Sequence, residues 1–484
     1  MTVELIGYVA IALGIAGFFC NPKVIVYLFL ASTLLGAAGA LTLDFLGGTN
    51  VQPAHLLLGF LTAKLLSDPR MRRAALDGIE IGRPGFWLLL TTLYGSISAF
   101  LLPRFFAGET LVVPVRAEGF NVLLGPSTSN ITQPVYFVGD FVCFLMLYGF
   151  ASAASNWKTL IRAALIVVIL NLVFVMLDLT TYWTGTGELL SFIRNASYAL
   201  LSDTEVQGFK RIVGSFTEAS SFGYSSLGYF TFATTLWLFG VSPALTFSLS
   251  ALTFLALIFS TSTTAYVGLA AVLVLLYLQT LLRWFFRPRT TQMVAFLLGM
   301  PFLFGLIAIC VALNDSASSY IWDLINNLIL NKMTTSSGLE RSTWNAQAIQ
   351  NFLDTFGFGV GNGSARASSF PLAVIASLGF PGAILYGTFL LSVLFARRAT
   401  LTGYDDGICT AAQSAAKSAC LAWLIAASVS GALIDLGLPF FAFSALACVL
   451  SQQSRQLWRR SPKRMNLPLI NRETAPEKVY PFSS

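Results

Sequence analysis

The chain has 484 residues, of which 56% are hydrophobic and only 11% charged, against roughly 25% charged in soluble domains. A single histidine excludes zinc sites that need several imidazoles. The formal charge of +7 would suggest nucleic acid in a soluble protein, but the basic residues follow a membrane pattern, and no nucleic-acid partner is expected.

Thirteen hydrophobic segments follow one another along the chain: 5–19, 24–42, 51–66, 86–102, 136–154, 160–182, 222–239, 244–259, 265–282, 293–313, 372–395, 419–436 and 439–450. Most are long enough to cross a hydrocarbon core as helices; the first, third and last are short, so the expectation is about 12–14 spans. Lys and Arg cluster in alternate connections. These hold Lys23, then Lys64, Arg70, Arg72, Arg73 and Arg83, then Lys158 and Arg162, then Arg283, Arg287 and Arg289, then Arg397, Arg398 and Lys417. The polar tail 455–484 adds seven more. The positive-inside rule assigns this side to the cytoplasm, with the C-terminus inside and Met1 outside. The start has no basic region or small-residue cleavage site, so its first segment reads as a retained span. The predicted fold class is therefore all-α, a polytopic transmembrane helix bundle over residues 1–454.

Three long loops fall on the outer side, at about 103–134, 183–221 and 314–371. The last predicts helices over 319–330 and 338–355, the second capped by Ser336 and Ser337 and stopped by Gly357. Trp344, Ala348 and Phe352 form an apolar stripe on it, which would lay this helix on the bundle at the membrane surface. The six cysteines show no C-x-x-C spacing and read as small packing residues. Asp405 and Asp406 read as a solvated inner loop, and neither metal nor cofactor is expected.

Two outer segments place charges beside hydrocarbon. One is Lys210-Arg211-Ile212-Val213-Gly214-Ser215-Phe216-Thr217-Glu218-Ala219-Ser220-Ser221-Phe222-Gly223. The other combines Gly338-Leu339-Glu340-Arg341-Ser342-Thr343-Trp344-Asn345 with Gly357-Phe358-Gly359-Val360-Gly361-Asn362-Gly363-Ser364-Ala365-Arg366. Charges at such positions are costly and are kept for a partner such as an anionic ligand. The local alternative is that the arginines snorkel or pair with nearby carboxylates, while the glycines make a tight turn. No strand precedes the glycines, so a dinucleotide site is excluded. Asp140, Asp178 and Asp435 lie within or at the ends of spans and read either as functional groups or as helix contacts. His55 reads as structural. Tyr266 and the 260–264 run, near an outer turn, read as sugar contacts or as polar glue between helices.

These two segments resemble the signature regions of the O-antigen polymerase and ligase superfamily, membrane glycosyltransferases that join undecaprenyl-diphosphate-linked glycans. Arg211, Gly214, Phe216 and Gly223 resemble its Arg-x-x-Gly-x-Phe segment before a span. Arg341 and Trp344, followed by Gly357, Gly359 and Gly361, resemble its later pattern in the largest outer loop. The likeness covers about 210–382 and elsewhere rests on topology. Two departures matter: Ala219-Ser220 stands where many relatives have Pro-Asn, and the large late loop lacks the histidine typical of the ligase branch. The resemblance therefore leans toward the polymerase branch that serves exopolysaccharide or capsule.

The resemblance implies a periplasm-facing polymerase of the bacterial inner membrane. Arg211 and Arg341 would hold the diphosphate leaving group, assisted by Lys210 or Arg366, since guanidinium forks suit phosphate oxygens. Glu218 and Glu340, followed by Asp354, are candidates for the base that deprotonates the acceptor hydroxyl, or else salt-bridge partners of the arginines. Trp344, Asn345, Gly361 and Gly363 would line the substrate site. The implied partners are the lipid-linked glycan, membrane lipids, and a chain-length regulator and flippase of the same pathway. Two alternatives stand: a ligase of the same fold, and a lipid-glycan flippase or transporter.

Overall fold

The computed structural model describes residues 2–43, 49–116, 121–153, 156–196, 205–206, 209–286, 289–314, 318–319, 322, 336–396 and 404–460. The helix expected over 319–330 and the tail beyond 460 lie outside the described residues, as do Arg287, Arg397 and Arg398. Each of the thirteen hydrophobic segments contributes a helix. In chain order these are α1 (Leu5–Phe19), α2 (Pro22–Ser32), α3 (Pro53–Leu66), the short basic α4 (Pro69–Asp77), α5 (Pro84–Phe105), α6 (Ser129–Ser152), α7 (Trp157–Trp183), α8 (Ala219–Leu238), α9 (Pro243–Phe259), α10 (Thr263–Phe286) and α11 (Thr291–Ala312). After them come α12 (Ser336–Asp354), α13 (Phe370–Leu394), α14 (Tyr404–Ser430) and α15 (Gly437–Arg460). Seven are long and apolar enough to cross a membrane, and five more are apolar but shorter. The chain is an all-α, multi-pass membrane bundle. The helix expected from Gly338 in the late loop is α12; it starts two residues earlier, so Ser336 and Ser337, expected as caps, fall within it.

The connections sort onto two faces. Strands β1 (Thr2–Val3), β2 (Leu41–Leu43) and β3 (Thr49–Val51) form one small antiparallel sheet, with Thr2 opposite Thr42 and Leu41 opposite Val51. The chain start and the 41–51 connection thus share a face, as alternating spans require. Asn195 joins them by accepting from Gly39 N and donating to Gly39 O. Arg116 donates to Thr49, and Thr110 donates to Asp354 across 2.6 Å. All three long loops therefore gather on this face. Basic residues hold the opposite one: Arg83 donates to Tyr148 Oη, Arg283 lies 3.3 Å from the Phe239 ring centre, and Lys417 donates to Ala396 O.

Two segments differ from expectation. The 24–42 segment is helical only to Ser32. Its remainder, irregular up to β2, packs under the loop before α8, where Ala37 N donates to Ser215 O and Ser215 Oγ donates to Leu34 O. Those partners satisfy backbone that would otherwise face hydrocarbon, and a Cβ on Gly36 would stand 3.0 Å from the Phe216 ring. The 419–436 segment is instead the end of α14, which starts at Tyr404 and includes Asp405 and Asp406 in its first turn. Acidic residues suit a helix N-terminus, which explains why they are helical and not loop. Asp435 then falls in the turn between α14 and α15.

Helix α13 is broken at Gly379, whose φ of 62° is followed by Phe380 and Pro381. Pro381 has no N–H for Ser377 O, and Phe380 N turns away to donate to Gly357 O. The glycine segment repairs the break: Val360 N donates to Ala376 O at 2.8 Å and Gly361 N to Ser377 O at 3.0 Å. Close approach is what the glycines are for. A Cβ at Gly359 would stand 2.7 Å from Gly379 N, at Gly361 2.7 Å from Ser98 O, and at Gly363 2.2 Å from Ser129 O. All three have positive φ. Gly359→Ala should therefore destabilise the protein by at least about 1–3 kcal/mol from backbone strain alone, read as a lower melting temperature in detergent. An unchanged melting temperature would show that this segment does not brace α13.

Candidate functional site

The first charged segment is held by one carboxylate. Asp178, near the outer end of α7, has a fully buried side chain (0% exposed). Its Oδ1 accepts from Arg194 at 2.7 Å and from Lys210 at 2.8 Å, and its Oδ2 accepts from the amides of Val213 and Gly214 at 2.9 and 3.0 Å. A buried carboxylate needs such partners to offset its lost hydration. Gly214 has φ 62°, which turns its amide onto Asp178. Lys210, placed by sequence at the substrate, has a side chain only 3% exposed and committed to this ion pair.

Arg211, the next residue, faces elsewhere. It is half-buried, and its Nε is buried without a hydrogen-bond partner. Burial lowers its pKa, while the charge of Glu218 and the phenol of Tyr266 act in the opposite direction; a guanidinium remains protonated throughout. Glu218 is the residue preceding α8 and accepts from Ser220 Oγ. Tyr266 also donates to Ile258 O at 2.8 Å. In the outer turn between α9 and α10, Thr261 has φ 46°, a costly conformation for a β-branched residue. The hydroxyls of Thr261 and Ser262 are buried there without partners. Strain and unpaired polar groups together mark functional sites.

Beside this segment lies a cavity of about 460 Å³, lined among others by Thr33, Gln52, His55, Asp140, Ser221, Tyr224 and Asp435. Its outer wall is the turn 431–436, where both charged segments meet. Tyr224, from the start of α8, donates to Leu436 O at 2.8 Å, and Ala367, following the glycine segment, donates from its amide to Ala432 O at 3.1 Å. His55 Nδ1 and Asp140 Oδ2 are buried without hydrogen-bond partners, and Asp140 is 1% exposed.

The second charged segment is built differently. Arg366 stacks over Trp344, 3.9 Å from the ring centre, so these two predicted residues do come together. Asn345 Oδ1 accepts from Ser368 N at 2.8 Å and so fixes the approach to α13. The Gly361 amide is occupied by Ser377 O, and Gly363 packs on α6. Asp354 accepts from Thr110 and Gln350, each at 2.6 Å. Glu340 is exposed and Arg341 half-buried on α12, which packs on α13 and on strand β4 (Leu111–Val112). Ala348 of the expected stripe is buried against Ala367, Ala373 and Ala376. Among the described residues, no group of three or more His, Cys, Asp or Glu is arranged to hold a metal ion.

Sequence reading missed Arg194 as a partner of Asp178 and missed the meeting of His55, Asp140 and Asp435. The signal that was available is that carboxylates inside spans are functional by default; the pairing of residues about three hundred positions apart carried none. Asp178→Asn should cost about 3–5 kcal/mol, because it leaves two buried cations without their countercharge. The check is thermal unfolding in detergent, with Thr217→Val as a milder neighbour control. Wild-type stability in Asp178→Asn would remove the anchor assigned to this segment. Neither a family profile nor a curated protein matches the chain.

Proposed function

We propose that the chain is a glycan polymerase of the bacterial inner membrane, which transfers undecaprenyl-diphosphate-linked oligosaccharide repeat units onto one another on the periplasmic side. In this reading the face bearing the three long loops is periplasmic and the basic face, with the C-terminus, is cytoplasmic. The observation that carries it is Arg211: a half-buried guanidinium with an unpaired Nε, on the loop-bearing face, in the segment whose Ser221 lines the cavity. Such a group is suited to meet a diphosphate oxygen as negative charge grows on the leaving group. Arg341 would add a second contact from α12, and Arg366 on Trp344 a third. Lys210 and Asp178 act behind them by holding the Arg211 backbone in place.

A second reading, transfer of the glycan to a different acceptor by a ligase of the same architecture, draws on one observation: His55, the one histidine of the chain, lines the cavity. Identifying the molecule that gains the glycan separates the two.

The test is reconstitution in liposomes with a lipid-diphosphate oligosaccharide and no nucleotide sugar. Wild type should yield a ladder of products. Arg211→Ala should slow extension by about 10²–10³-fold, the usual loss on removing one donor to developing charge. Arg211→Lys should recover only part of it, because charge is kept but the bidentate fork is lost. Full-length polymer from Arg211→Ala would rule the proposal out.

A further inference from the structure

The cavity at the start of α8 is lined by two carboxyls that no leaving-group role requires. Asp140 of α6 and Asp435 of the 431–436 turn both line it. Asp435 is the more accessible member and is firmly positioned. The Gly437 amide donates to its Oδ1, Tyr386 Oη donates to Ile434 O at 3.1 Å, and Tyr224 Oη donates to Leu436 O at 2.8 Å. The first of these three bonds holds the carboxylate and the other two hold the backbone on either side of it, at the wall of the cavity. Asp140 Oδ2 and His55 Nδ1, both buried and unpartnered, line the same space. Unmet hydrogen-bonding groups of this kind fit a ligand rich in hydroxyls.

We infer that this cavity receives the acceptor sugar and that Asp435 is the base that takes its proton. The inference rests on the polymerase reading. The acceptor O–H attacks the anomeric carbon of the donor, forming the new C–O bond. The bond from that carbon to the diphosphate oxygen breaks, its electron pair leaves on the diphosphate, and the acceptor proton passes to Asp435. Asp140 is a positioning residue for Asp435. Glu218 remains the charge partner of Arg211, and Asp354 is occupied by Thr110 and Gln350.

The experiment uses the full chain in liposomes with a lipid-diphosphate oligosaccharide, measuring chain extension and, separately, retention of labelled donor. Asp435→Asn should slow extension by about 10²–10⁴-fold, the range for a lost general base, with donor retention unchanged. Asp435→Ala should regain extension in proportion to added formate, a recovery that a purely structural role would not produce. Extension at the wild-type rate by Asp435→Asn overturns the inference, as does an inactive Asp435→Ala that melts like wild type and ignores formate. Should Asp435→Asn not fold, Asp435→Glu decides: retained extension supports the base and complete loss in a folded protein overturns it. If Arg211→Ala is inactive while Asp435→Asn is normal, only the base assignment fails. If the wild type makes no polymer from this donor, the polymerase reading itself fails.

Discussion

The outer half of this molecule depends on a carboxylate that cannot be left alone. Asp178 is fully buried, and Arg194, Lys210 and two backbone amides are what make its burial tolerable. Meeting that demand draws the loop after α7 down onto the bundle and fixes the backbone from Lys210 to Gly214. Arg211 is thereby presented in a defined place, although its own side chain contributes nothing to the anchor. A buried ion pair adds little net stability compared with apolar packing; here its use is to set the position of a neighbouring group.

A second demand of the same kind shapes the other charged segment. The break in α13 leaves carbonyls at Ala376 and Ser377 without intrahelical donors, and irregular backbone is tolerated in a bundle only where protein supplies partners. The glycine segment supplies them, and only residues without a Cβ can come so close. Glycines that suggest an anion cradle in one dimension are a splint in three. The segment then continues to Ala367, whose amide bonds to the turn carrying Asp435. Both conspicuous motifs therefore act largely through backbone: each positions the wall of one cavity and leaves few side chains facing it.

The site was partly legible. Arg211 and Glu218 stand as near neighbours in sequence and remain so in space, and Trp344 and Arg366 fall together because α12 doubles back through the glycine turn. Lys210, Asn345, Gly361 and Asp354 were legible as polar or flexible residues in the right loops, but not as residues already engaged by the protein. A polar side chain in an outer loop looks alike in sequence whether it meets a ligand or a backbone amide. His55, Asp140 and Asp435 come from three distant parts of the chain, and only the packing of α3 and α6 against the 431–436 turn makes them neighbours.

Sequence by itself determined the class of molecule, the hydrophobic segments that become helices and the division of connections into a basic face and a loop-bearing face. Those features follow from local hydropathy and charge, each readable within some twenty residues. Tertiary structure decided where helices stop or break, as at Ser32 and Gly379, and which polar groups are consumed and which remain open. The reason is physical: in a poorly hydrated interior every backbone and side-chain dipole must find a partner, and the partner is chosen by proximity in space, which local sequence does not encode.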